Sequence, residues 1–276
     1  MTNIATILAL ADGGQSSDSV LKTALGVARR FEAHLEVLHL RADPSTLVPI
    51  VGEGMSGALV EQMIESMTQA VETRAKRARE AYDRLSAEAP GITTWREVVG
   101  PGPDNIAAAG RLTDLIVMAR PSGEDSLTQT ALLDAAIFDT GHPVLMVPAG
   151  YSGATGDNIV IGWNGTAQSA RAVAVALPFL RQAKQVTVLT VGDEDKPAPA
   201  AAVGAYLSRH KINAQVVRLE LGGGPIGRAL LDRIASLSAD MVVMGGYGHS
   251  RLKEMILGGT TRYVLANAAL PVLMAH

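Results

Sequence analysis

The apolar residues of this chain alternate between short unbroken runs and longer stretches with helical spacing. In the second half, residues 158–163 form an apolar run that ends in Asn164-Gly165, which predicts a strand and a turn. Residues 166–182 place Ala170, Val173, Ala174 and Leu177 on one helical face. Residues 186–191 are rich in β-branched side chains and predict a strand, 198–211 a weak helix, and 215–219 a third strand. Pro225 stands where a helix would open, behind three glycines, and that helix runs to about Ser238. Residues 240–245 predict a buried strand, and 260–268 a short helix behind Gly258-Gly259. A last strand spans 271–275, with Pro271 at its first position, where proline is tolerated. The first half repeats this order. It adds a stretch, roughly 58–88, whose Glu, Arg, Ala and Gln predict an extended, solvated helix. Unbroken apolar strands alternating with helices predict an α/β fold with a parallel sheet covered on both faces.

The two halves resemble each other. The run from Thr113 to Met118 recurs from Ala239 to Met244, that from His142 to Val147 from Leu270 to Ala275, and that from Ile7 to Asp12 from Ile159 to Asn164. A repeat this long indicates a duplicated domain and not a solenoid. Residues 1–149 therefore form one expected domain, 150–157 a Gly- and Ser-containing linker, and 158–276 a second domain. The runs 144–147 and 272–275 are apolar and would end their own sheets. An apolar edge invites pairing.

Composition narrows the function. The chain has 276 residues, of which 47% are hydrophobic, enough for sizeable cores. Lys plus Arg number 24 and Asp plus Glu 27, with no basic block, which argues against nucleic acid as a partner. Cysteine is absent, so disulfides, thiolate nucleophiles and Cys-ligated metals are excluded together. His39, His142 and His276 lack ligand spacing, so no metal site is expected. No run of about 18 apolar residues suggests a membrane span, and no basic leader precedes the first apolar run, so the expected location is the cytoplasm. There is no P-loop, nucleophile elbow or zinc-protease signature.

In open parallel sheets, ligands bind beyond the carboxyl ends of the strands where strand order reverses. The loops there are Gly162-Trp163-Asn164-Gly165 and the stretch from Gly245 through Gly248 and Ser250 to Gly258, Gly259, Thr260 and Thr261. Glycine lets backbone approach a ligand closely, and the helix behind Gly258-Gly259 presents free N–H groups suited to phosphate. The hydroxyls of Ser250, Thr260 and Thr261 can donate to phosphate oxygens. Gly245 and Gly246 can equally close a tight strand–helix turn, and Trp163 can be a packing residue or a stacking platform.

The pattern Gly-x-x-Gly at Gly245 and Gly248, nine residues, then Gly258, closing onto a helix and the strand Pro271-Val272-Leu273, resembles the nucleotide-binding signature of the universal stress protein family. The resemblance covers both halves in strand order and implies two tandem Rossmann-like domains, each an open five-stranded parallel sheet with helices on both faces. It implies ATP or another adenine nucleotide as cofactor, with Mg as an optional companion. It places Asn164 at the nucleoside, Val191 and Met244 in its pocket, and Gly245, Gly248, Gly258, Gly259 and Thr260 at the ribose and phosphates. Asn164 stands where the family carries an acid, and Gly259 where it carries Ser or Thr. The implied function is a stress-response protein whose second domain is a non-catalytic, nucleotide-responsive switch. A slow ATPase or phosphoryl-transfer enzyme and a ligand-free scaffold are the alternatives. The implied partners are the nucleotide and, through the terminal strands, the other half of the same chain as an intramolecular pseudo-dimer, with a homodimer left open.

The first half keeps Asp12 but lacks the glycine pattern. Met118 is followed by Ala119-Arg120-Pro121-Ser122, and Leu133, Asp134 and Ala135 are expected about where the phosphate turn would be. Their Cβ atoms and the acid would obstruct phosphate, so this half reads as a structural partner.

Overall fold

A computed structural model gives the fold of residues 3–43, 57–122, 126–191, 200–220, 225–246 and 259–276. The first half runs β1 (Thr6–Leu10), α1 (Ser17–Phe31), β2 (His34–Arg41), α2 (Gly57–Glu88), β3 (Thr93–Val99), α3 (Gly102–Gly110), β4 (Leu115–Ala119), α4 (Ser126–Asp139) and β5 (Val144–Val147). The second runs β6 (Asn158–Trp163), α5 (Ala167–Gln182), β7 (Gln185–Val191), α6 (Ala200–Arg209), β8 (Ala214–Leu219), α7 (Ile226–Ser236), β9 (Met241–Gly245), α8 (Gly259–Asn267) and β10 (Val272–Ala275). The expected strands lie within two residues of these bounds.

All ten strands form one sheet, in the order β3-β2-β1-β4-β5-β10-β9-β6-β7-β8. Within each half the pairs are parallel, and β5 and β10 meet antiparallel with Leu145 opposite Leu273. The apolar ends of the two half-sheets thus satisfy each other's backbone groups at the centre, and the outer edges are β3 and β8. The order turns back beside β1 in one half and β6 in the other, so each half has a switch point at the end of its first strand.

Alternate residues of the buried strands feed two cores. Leu115, Val117, Leu145, Val243 and Leu273 face α1, α2, α5 and α6; Ile116, Met118, Met146, Met244 and Met274 face α3, α4, α7 and α8. Both cores continue across the β5–β10 seam, because the two-residue period carries each face through it.

Three expectations change. Helix α4 begins at Ser126, so Leu133, Asp134 and Ala135 lie inside it and Leu133 and Ala135 are buried, instead of forming a turn at the ligand edge. Helix α2 is long as expected, but one stripe of it is covered: Ala78, Ala81, Tyr82 and Leu85 are buried. The segment expected to be a linker is tied to both halves. Arg30 donates to the Thr155 carbonyl at 3.0 Å, and Gly156 and Asp157 donate backbone N–H groups to the Asp240 carboxylate at 2.8 and 3.0 Å. Gly222-Gly223-Gly224 and His249 lie outside the described residues.

Candidate functional site

At the switch point of the second half, five elements enclose a cleft of about 230 Å³. Strand β6 contributes Gly162 and Trp163, followed by Asn164; β7 contributes Leu189 and Val191; β9 contributes Met244 and Gly245. The first turn of α8 adds Thr260 and Thr261, and α7 adds Ile226 and Leu230. Eight of the residues expected from the sequence are therefore brought together. Gly259 opens α8 but is not among the lining residues, and a Cβ there would meet nothing within 4 Å. Gly248, Ser250 and Gly258 lie outside the described residues.

Leu189, Ile226 and Leu230 escaped the sequence reading because they stand outside the glycine loops. Their signal was periodicity: Leu189 lies two residues before Val191 on the same strand face, and Ile226 and Leu230 are four apart on one helix face.

Each element holds its lining group for a local reason. Asn164 Oδ1 accepts from the Thr166 backbone N–H at 3.2 Å and from its hydroxyl at 2.8 Å, an Asx turn that ends β6. Thr166 then caps α5 by accepting from the Ser169 backbone N–H at 3.3 Å. Gly245 owes its identity to that same helix: a Cβ there would stand 2.4 Å from the Ser169 nitrogen. Packing against α5 thus requires this glycine, which also lines the cleft. Gly162 is the opposite case. A Cβ there would make ordinary contact with Met244 Cβ at 3.6 Å and Leu230 Cδ2 at 3.9 Å, so the space beyond it is the cleft itself.

The described lining is uncharged. Val191, Leu189, Leu230 and Met244 give the cleft apolar walls, and Asn164, Thr260 and Thr261 supply its polar groups. No carboxylate stands among the described lining residues to share a Mg ion, and the described residues hold no cluster of three or more His, Cys, Asp or Glu suited to a metal.

Residues 156–276 match the family model described as the universal stress protein family, and this span contains the whole cleft. The second half is a universal stress protein domain. The fold is shared over nearly the whole chain by solved structures. One is a universal stress protein from Archaeoglobus fulgidus DSM 4304, 18% identical, with a TM-score of 0.65, covering 98% of this chain and 95% of its own. A second is a functionally unknown protein from Pseudomonas aeruginosa PAO1, 15% identical, with a TM-score of 0.62 and coverages of 99% and 92%. A third is a putative universal stress protein from Pseudomonas aeruginosa UCBPP-PA14, 16% identical, with a TM-score of 0.59 and coverages of 99% and 93%. No curated protein matches the sequence. Among the described residues, no helix is long and apolar enough to cross a membrane.

A second cleft, of about 370 Å³, lies at the corresponding switch point of the first half, beside Asp12. The Asp12 carboxylate is engaged by its own chain. Oδ1 accepts from the Gly14 N–H at 2.9 Å and the Ser17 hydroxyl at 2.8 Å, and Oδ2 from Gln129 Nε2 at 3.3 Å. It is the Asx-turn counterpart of Asn164, one strand–helix turn built twice.

Proposed function

We propose that the universal stress protein domain binds an adenine nucleotide in the β6–β7–β9–α8 cleft and serves as a non-catalytic switch in a stress response. The observation that carries this reading is convergence. Residues from three strands and two helices, far apart in sequence and all within the family match, line one cleft, uncharged in its described lining, where the strand order turns back.

In this reading the base lies against Val191, Leu189, Leu230 and Met244. Asn164 has its carbonyl oxygen committed to the turn, so its amide nitrogen is the group offered to a ribose hydroxyl. The phosphates lie over the first turn of α8, where the positive end of the helix dipole and the Thr260 and Thr261 hydroxyls would favour them. The described lining offers neither a charged clamp nor a general base, which favours binding over phosphoryl transfer.

The test uses the contrast between the halves. Where β6 has Gly162, β1 has Leu10. Gly162→Leu adds a side chain that projects into the cleft from a position where the Cβ itself is tolerated. Purified wild-type chain should bind one adenine nucleotide per chain by calorimetric titration with ATP, ADP and AMP. Gly162→Leu should lower that affinity at least tenfold with an unchanged melting temperature. Wild-type affinity in a folded Gly162→Leu protein would place the nucleotide elsewhere, and no binding by the wild type would leave the scaffold reading.

A further inference from the structure

The first-half cleft occupies the same place in the strand order but is built from different chemistry. Leu10, Leu38 and Leu40 form its floor, Leu132 of α4 one wall, and Met67 and Val71 of α2 the other. Counted back from Leu145 and Leu273, which pair at the seam, Leu132 and Leu133 stand where the second half has Thr260 and Thr261. The hydroxyl pair of one half is a leucine pair in the other. Leucine likewise replaces Gly162 at Leu10.

The outer wall has no counterpart in the described second half. Helix α2 has 32 residues and is about 48 Å long at 1.5 Å per residue. Its buried residues begin only at Ala78, so the amino-terminal portion reaches past the sheet. There Met67 and Val71, four residues apart on one face, close over the strand ends. Gly13, at φ +71°, fixes that position. It lets the Arg74 carbonyl oxygen come so near the β1–α1 turn that a Cβ would stand 2.0 Å from it.

The charged groups of the lining already have partners. Asp12 is held as described, Gln129 also accepts from the Ser122 N–H at 3.0 Å, Arg41 faces Glu97 at 3.4 Å, and Arg74 is engaged as well. Little at the rim is left to seek a charged ligand, and the wall is mostly aliphatic. We propose that the first half binds an uncharged, largely apolar small molecule in this cleft, independently of nucleotide. Its volume lies within the roughly 300–1,000 Å³ range of small-molecule sites.

The experiment titrates the full chain with the neutral apolar fluorophore N-phenyl-1-naphthylamine and follows its emission. Val71→Trp and Met67→Trp each fill the cleft from a stretch of α2 that contributes no buried core residue. The wild type should bind the probe at one saturable site, and each variant should weaken binding at least tenfold while the melting temperature holds. Excess ATP should leave the probe bound. Absence of saturable binding, unchanged affinity in both folded variants, or displacement by ATP would each overturn the proposal.

Discussion

At the scale of single residues, two aspartates show how one side chain fixes a strand. Asp114, just before β4, accepts through Oδ2 from the backbone N–H groups of Ala5 and Thr6, both at 2.9 Å, and from the Thr6 hydroxyl at 3.1 Å. Asp240, just before β9, does the same for Gly156 and Asp157. Each carboxylate ties the start of the first strand of its half to the neighbour it pairs with, β1 to β4 and β6 to β9. Partial burial pushes the Asp114 carboxyl upward, but the three hydrogen bonds and the nearby His142 outweigh it and hold it below its ordinary 3.8. A depressed carboxylate contributes stability above its unfolded value and loses that contribution as pH falls through the folded one. Asp114→Asn should therefore cost about 1–2 kcal/mol at pH 7 by urea denaturation. The gap to wild type should narrow as the pH is lowered from about 5 to 3. A gap that stays constant with pH would deny the carboxylate this role.

At the scale of elements, the adjacent glycines Gly245 and Gly246 separate two reasons for small size. A Cβ on Gly245 meets the backbone of α5, with Ser169 N at 2.4 Å and Gln168 C at 2.6 Å, so a capped helix would have to move away from β9. A Cβ on Gly246 meets only the terminal methyl of Met274, at 1.9 Å, which a flexible side chain can withdraw. Gly245→Ala should cost about 3 kcal/mol and Gly246→Ala about 1 kcal/mol, measured as midpoint shifts in denaturant. Equal costs would mean that the contact between α5 and β9 is softer than its geometry shows.

At the scale of the whole molecule, the halves share one sheet and continuous cores. Phe31 of α1 meets Phe179 of α5 edge to face, with ring centroids 4.9 Å apart, on one side of the seam. Phe138 of α4 meets His276 at 4.7 Å, and Arg120 donates to the Ala268 carbonyl. Arg30 adds an ion pair to Asp157 at 3.0 Å, and Lys184 reaches the same carboxylate at 2.8 Å. Because the contacts of Phe31, Phe138, Arg120 and Arg30 cross between halves, the chain should unfold in a single calorimetric transition. Phe179→Ala, which empties a position only 1% exposed, should lower the whole transition by about 3–5 kcal/mol. Two resolved transitions, with only one moved by the substitution, would show halves that fold separately.

The sequence by itself determined the elements and their order. Buried strands such as Val144–Val147 and Met241–Gly245 are unbroken apolar runs, and a run of that kind is readable wherever it sits because both of its faces must leave water. It also located the second-half cleft through Asn164, Val191, Met244, Thr260 and Thr261, since ligand sites in such sheets follow strand ends. The tertiary structure decided what depends on which distant atoms meet. Gly245 is glycine because Ser169 lies against it, a contact across 76 positions that its own neighbours in sequence cannot announce. Leu189, Ile226 and Leu230 join the cleft from a strand and a helix that look like ordinary core. The start of α4 at Ser126 carried Leu133 and Ala135 away from the expected place of the phosphate turn and into the core, because they gain more there than at the strand-end surface. The covered stripe of α2 emerged in the same way. Its composition reads as solvated, and only its seat against Gly13 and the β1–β2 ends turns Met67 and Val71 inward. Periodicity is a local property of the chain, whereas close approach is set by the packing of elements, and only folding brings those together.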